Sequence, residues 1–431
     1  MVIDLRVNKP TTRILAILAG LGLCAVLAGL ATTRVVAGLL TDQRTQVPRD
    51  LLSKGVRYAP NSAPLRARLA EAEMLSEERD LSAAEADARL AVRLSPWDYN
   101  YRMLLASIEE AKGDRASAED ALNEALKLAP SNTIVHWRLA NVLLRQGKLG
   151  KSLAEFRLAN TASTPLLLPS LDLVWKVSSS NLAAVQAITP DDAKSKIRLA
   201  QFLLQQSRAA EAGSVFGSID PAARLGQPEA PGIIDALISK GNAELARYLW
   251  ADTVSRGLGK RDQSVGVMWN GDFESEINDK FAQFDWTIGQ NAYAQTRVNR
   301  ATAHGGAQAL QIDFTGRDTT RLDDEINQRF LVRSGARYKL EFFVKTENLV
   351  TPEGPRVVVT DAKSSTAIAA SDPAPVGSND WSRASVEFVA PPNASSLIVA
   401  IRRIPKFSYD NPTKGTVWFD DFSLTEQARA Q

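Results

Sequence analysis

The chain has 431 residues, 45% hydrophobic and 23% charged, which is long enough for about two or three domains with ordinary cores and too apolar for a disordered protein. Its 51 basic and 49 acidic side chains leave a formal charge of +2, so no strong field draws the protein to DNA or RNA. One cysteine, Cys24, excludes an internal disulfide and a thiolate metal cluster, and two distant histidines, His136 and His304, do not make a histidine metal site.

Residues 1–13 carry Arg6, Lys9 and Arg13 against Asp4, and Ile14 to Ala31 then runs without a charge. Extended through Thr33, the stretch is long enough to cross a hydrocarbon core of ~30 Å at ~1.5 Å per residue, which predicts a transmembrane helix over 14–33. The basic excess precedes the span, and Arg34, Asp42 and Arg44 beyond it nearly balance. The positive-inside rule therefore places residues 1–13 in the cytoplasm of a bacterial inner membrane and the bulk of a single-pass protein outside, in the periplasm. A cleaved signal peptide is the rival reading, because Gly29-Leu30-Ala31 offers small residues at a cleavage site.

From about Asp50 to Arg256 the sequence turns to Ala, Leu, Arg and Glu with helical periodicity and an internal repeat. Pro96 and Pro130 are 34 apart, and Pro60 and Pro165 stand 36 and 35 from their neighbours. Ala84 and Ala91 precede Pro96 at the spacing at which Ala118 and Ala125 precede Pro130, and Gly113 and Gly147 are again 34 apart. The pattern resembles the tetratricopeptide repeat, whose period is 34. That resemblance implies hairpins of two helices stacked into an α-helical solenoid over 50–256, three clear and two degenerate, with an irregular helix pair between Leu166 and Pro190. It also implies a groove that holds a protein partner.

Residues 257–263 lose the helical period and read as a linker. Beyond them apolar and polar residues alternate: Leu310, Ile312 and Phe314; Tyr338, Leu340, Phe342 and Val344; Leu397, Val399 and Ile401. This is the signature of half-buried antiparallel strands, and turn residues near 352–355, 373–379 and 391–396 separate them. Trp269-Asn270-Gly271-Asp272-Phe273-Glu274 and Val417 to Leu424 are expected as first and last strands that meet in one sheet and close an aligned β-sandwich of about eight strands.

Asn-Gly-Asp-Phe-Glu, Trp286, Gly-Gly-Ala-Gln-Ala-Leu-Gln-Ile-Asp-Phe (305–314), Gly335 to Lys345, Asp380-Trp381 and the closing Trp-Phe-Asp-Asp-Phe resemble, in that order, a carbohydrate-binding jelly roll of the galactose-binding-like type. The resemblance covers 264–427 and implies an antiparallel β-sandwich. It also implies a structural calcium held by Glu274 with Asp420 or Asp421 and backbone carbonyls, although a hydrogen-bonded loop network accounts for the same acids. The fold class is thus α then β: transmembrane helix, tetratricopeptide solenoid, jelly roll.

A glycan needs polar groups for its hydroxyls and an aromatic ring for its apolar face. Gln311, Asp313, Glu341, Phe343, Lys345 and Arg402 alternate with the apolar set and are the candidate carbohydrate-binding residues; read singly, each also suits a solvated sheet surface. Trp286, Trp381 and Trp418 read mostly as core, and Tyr293, Phe407 and Tyr409 as loop aromatics that rank below the sheet. Asp313 and Glu341 are acids that could lie side by side, but no nucleophile elbow, zinc motif or phosphate loop accompanies them, and no catalysis is expected. The resulting expectation is a non-catalytic membrane-anchored scaffold that binds a protein and a glycan in exopolysaccharide or O-antigen assembly or export. The alternative is a purely protein-interacting envelope assembly factor whose sandwich binds no sugar.

Overall fold

The computed structural model describes residues 10–41, 47–77, 79–257, 268–316, 321–405 and 412–427, in two compact units, Met1–Pro190 and Asp191–Gln431. The first unit is helical: α1 (Pro10–Thr41), α2 (Arg49–Tyr58), α3 (Ala63–Leu75), α4 (Leu81–Leu94), α5 (Tyr99–Lys112), α6 (Arg115–Leu128), α7 (Thr133–Arg145), α8 (Leu149–Ala162), α9 (Thr164–Val177) and α10 (Leu182–Ala187). Helix α1 is longer than the expected 14–33, and its stretch Arg13–Thr41 is long and apolar enough to cross a membrane.

Helices α3 and α4, α5 and α6, and α7 and α8 form the three clear hairpins. Asp98, Asp114 and Asn132 cap helix starts by accepting backbone N–H groups, and Gly113 and Gly147 take positive φ at the turns within hairpins. Ala84, Ala91, Ala118 and Ala125 are fully buried, where a larger side chain would hold the helices apart. Ser152 stands where the pattern has alanine. It too is fully buried, and its hydroxyl donates to the Ala140 carbonyl at 2.8 Å, so the polar group is satisfied within the helix pair. Ion pairs link successive helices, Arg66 to Asp87, Arg89 to Glu109 and Lys112 to Glu85, and Lys148 in the turn before α8 pairs with Glu119 on α6. The irregular pair falls on α9, which carries Pro169 inside it, and the six-residue α10.

The second unit begins with α11 (Ala193–Gln205), α12 (Ala209–Gly217), α13 (Pro221–Leu225), α14 (Ala230–Ser239) and α15 (Ala243–Ala251). The degenerate hairpins are therefore α11–α12 and α14–α15, and they belong to the same compact unit as the sandwich. The physical link is Trp250, fully buried, whose Nε1 donates to the Phe281 carbonyl at 2.7 Å while its ring meets Trp269 edge-on at 5.0 Å. The expected linker is described only at Gly257; residues 258–263 lie outside the described residues.

Among the described residues ten strands follow: β1 (Thr287–Ile288), β2 (Ala294–Asn299), β3 (Ala309–Thr315), β4 (Ile326–Leu331), β5 (Arg337–Val350), β6 (Arg356–Asp361), β7 (Ala367–Ala370), β8 (Gly377–Val389), β9 (Ser396–Arg402) and β10 (Lys414–Gln427). One sheet has the order β1-β4-β9-β6-β7 and the other β2-β3-β10-β5-β8, every neighbouring pair antiparallel. The count exceeds the expected eight because β1 and β7 are too short to show alternation. Leu340, Phe342, Val399, Ile401, Val417 and Phe419 fill the space between the sheets, and Phe342 stacks on Phe422 at 5.1 Å.

The segment Trp269 to Glu274 is a turn, not the expected first strand. Asn270 and Phe273 both have positive φ, and the Asn270 side chain accepts from Ser275 N and donates to Ser275 O. It still meets the last strand, through a single bond from Phe422 N to Gly271 O at 2.8 Å. Any side chain at Gly271 would strike the Phe422 carbonyl, which explains glycine there.

Candidate functional site

Alternation on β3, β5 and β10 sends Gln311, Asp313, Glu341, Phe343 and Lys345 to the outer face of one sheet. Across it run Arg297, Gln311, Trp418 and Lys345 in register. The polar members of this face satisfy one another. Arg297 pairs with Asp313 at 2.6 Å, Gln311 and Thr416 donate to the same carboxylate, and Asn299 donates to Gln311. Glu341 is held by Lys339 at 2.8 Å and Arg383 at 2.6 Å, which lowers its pKa, the Lys339 hydrogen bond being the larger cause. Lys345 pairs with Asp380 at 3.0 Å.

Phe343 already has a cover, the His304 ring, stacked on it at 3.5 Å with 14° between planes. Trp381 meets the same histidine edge-on at 5.6 Å. Trp286 is buried in the core between the sheets, whereas Trp418, although only 6% exposed, lies on the outer face beside Gln311 and Lys345 and not in the expected core; Tyr293 is 41% exposed. Phe407 and Tyr409 lie outside the described residues.

Two expectations change. Arg402 is on β9, hence on the other sheet, where it bonds to Asp324 and to the Asp323 carbonyl and stays 9% exposed. Alternation separates inner from outer faces but does not say which sheet a strand joins. Asp313 and Glu341 are not neighbours: they face Thr416 and Ser423 on either side of β10. Seven residues along a strand at ~3.3 Å each put them roughly 20 Å apart, well beyond the ~5–9.5 Å of a glycosidase carboxylate pair.

The three acids expected at a calcium converge on the loop before β3. Glu274 Oε1 accepts from the amides of Ala307 and Gln308. Asp420 Oδ2 accepts from the amides of His304 and Gly305, and Asp421 Oδ2 contacts His304 Nδ1 at 2.6 Å. A methyl group at Gly305 or Gly306 would run into Asp421 or Glu274, so the Gly-Gly pair lets the carboxylates come this close. Burial pushes the Asp420 carboxyl up to about 6 despite its amide bonds, the mark of a buried negative charge short of compensation. Among the described residues no three His, Cys, Asp or Glu side chains are grouped as metal ligands. Backbone amides and His304 thus engage oxygens of all three acids, a hydrogen-bonded loop network.

The outer face of the other sheet carries a cleft of about 680 Å³, roofed by α14 and the segment Ala282–Gln283 and floored by β1, β4 and β9. Thr287, Asn327, Arg329 and Ser396 present polar groups from the floor, and Asp235 and Lys363 from the rim. Arg329 donates to Ser396 Oγ at 3.1 Å, and no carboxylate lies within ion-pair distance of it among the described residues. Burial lowers its pKa, against the pull of Asp235. Gln283 Nε2 reaches Asp235 at 3.3 Å while its buried Oε1 has no partner. Convergent donors and acceptors in a cleft of this size are what a small polar ligand or a few sugar units require. These residues do not appear among the six sequence candidates. Their signal was present in the alternation of Asn327 and Arg329 with Ile326, Gln328 and Phe330 on β4.

No family model matches the sequence, and no curated protein matches it. Among solved structures the chain is similar to one described as "CBM4 structure and function", at 18% identity over 37% of this chain and 99% of that one, with a TM-score of 0.28. It is similar to YrrB, described as a TPR protein with an unusual peptide-binding site, at 16% identity over 47% of this chain and 91% of that one, with a TM-score of 0.25. A Clostridium thermocellum xylanase 10B structure, with CBM22-1 and GH10 modules and xylohexaose, matches at 19% identity over 34% of this chain and 26% of that one, with a TM-score of 0.24.

Proposed function

We propose that this protein is a non-catalytic scaffold, held in a bacterial inner membrane by α1, whose helical repeats bind a protein partner and whose sandwich binds a glycan, in exopolysaccharide or O-antigen assembly or export. The observation that carries the glycan reading is the 680 Å³ cleft with Asn327 and Arg329 on its floor. The face bearing Gln311, Asp313, Glu341 and Lys345 supports it less, since those side chains are engaged with one another and Phe343 is covered by His304. The wide separation of Asp313 and Glu341 supports a binding role over hydrolysis by that pair. Glu274 with Asp420 or Asp421 would hold a calcium that supplies the missing positive charge at the loop.

The test is affinity electrophoresis of residues 191–431, which form one compact unit, through gels cast with bacterial polysaccharides. Retardation by one polymer, lost in Arg329→Ala and kept in Lys345→Ala, supports the cleft. Retardation lost in Lys345→Ala and kept in Arg329→Ala returns the site to the other sheet. No retardation by any polymer favours the purely protein-interacting reading.

A further inference from the structure

Helix α1 packs against the repeats by its last turns alone. Leu40 joins Leu52, Val56 and Leu65 in one apolar cluster. Nearer its start, Leu30, Thr33 and Arg34 line a cavity with the turn Tyr58–Ser62. As numbers fall along α1 they rise along α2, so the two helices are antiparallel. The uncharged stretch Ile14 to Ala31 therefore leaves the repeat stack at the edge where α2 turns into α3, and Arg34, the first charge after it, is level with that turn.

The same edge recurs along the stack, because each turn between hairpins is built alike. Ser62, Asp98 and Asn132 donate their amides to the carbonyls of Ala59, Ser95 and Ala129. Arg66, Arg102 and His136 bond the carbonyls of Pro60, Pro96 and Pro130. On this edge Tyr58 is 75% exposed and Trp97 83% exposed, an unusual state for large aromatic rings. Arg57 and Arg93 stand exposed beside them, in the last turns of α2 and α4. Amphipathic aromatics flanked by cations, level with the end of an apolar span, are the composition of a membrane-interface belt.

We propose that this edge of the repeats lies on the bilayer surface, with Tyr58 and Trp97 in the headgroup layer and Arg57 and Arg93 against anionic lipid phosphates. The inference rests on the reading of α1 as a membrane anchor. In it the first repeats lie along the membrane instead of standing free on a tether, and the rest of their surface is left for a protein.

The test uses the full chain with Cys24→Ser, carrying an environment-sensitive nitrobenzoxadiazole label at Trp97→Cys or, on the opposite edge, at Leu75→Cys. Leu75 is 75% exposed, so neither site disturbs a core. The chain is placed in vesicles of phosphatidylcholine and phosphatidylglycerol containing a headgroup-proximal nitroxide lipid. The expected result is blue-shifted emission and strong quenching at 97, with neither at 75, and weaker quenching at 97 once Arg57→Gln and Arg93→Gln are added. A chain that floats with the vesicles but leaves label 97 as water-exposed as label 75 overturns the docking alone. A chain that does not float overturns the anchor reading and the docking together.

Discussion

At the scale of single residues, Glu73 on α3 makes the sharpest prediction. It is 6% exposed, its Oε2 has no partner, and burial, with Asp87 adding to it, raises its pKa from 4.5 to about 7. The unfolded chain releases this proton near pH 4.5 while the folded chain keeps it until about 7. Stability of the first unit therefore falls as pH rises through that window, and the full cost is present above it. Glu73→Gln removes the charge and keeps the shape. It should raise the stability of the first unit above pH 7 by on the order of 1–3 kcal/mol and flatten its pH dependence, as measured by urea unfolding at pH 5 and pH 8. Equal stability of variant and parent at pH 8 would mean that water reaches the carboxylate.

Among the elements, the repeat helices rest on residues chosen for smallness. Ala125 is fully buried between α5, α6 and α7, and Ala125→Leu should cost ~1–3 kcal/mol by overpacking. The same change at Ala116, exposed on α6, should leave the unfolding midpoint unmoved. The alanine and proline spacing was readable in the sequence because each repeat solves the same packing problem. The ionic links between helices were not, since Arg66, Arg89 and Lys112 find acids about twenty or more residues away. The strands divide in the same way. Alternation placed Leu340 and Phe342 inside and Glu341 and Phe343 outside, but the register that sets Asp313 seven residues along β10 from Glu341 comes only from pairing. The cover that His304 provides for Phe343 depends on a loop conformation that Gly305 and Gly306 permit, and no periodic pattern encodes it.

For the whole molecule, two compact units predict two unfolding transitions in calorimetry, and perturbations should sort between them. Ala125→Leu and Glu73→Gln should move only the transition of the first unit. A chelator should lower only that of the second if calcium neutralises Asp420, because the ion binds the folded loop and stabilises it by mass action. If both midpoints hold in chelator, amide bonds alone close the loop. The sequence disclosed the order of parts, from apolar helix through repeats to sandwich. It did not disclose that the last two hairpins join the sandwich through Trp250, whose partner Phe281 lies beyond the expected linker.

Helix α1 passes from its apolar stretch into the packed cluster around Leu40 without a break. A continuous helix has no swivel at the point where, as the proposed anchor, it would leave the lipid. The uncharged stretch Ile14 to Ala31 is close to the ~20 residues that a bilayer needs, and a helix that outreaches a thinner bilayer takes up the excess by leaning. The lean then belongs to the first repeats as much as to the anchor. With α1 as the proposed anchor, bilayer thickness becomes a mechanical input to the first repeats, and a thinner membrane would tip the surface proposed for a partner through the same angle as the helix.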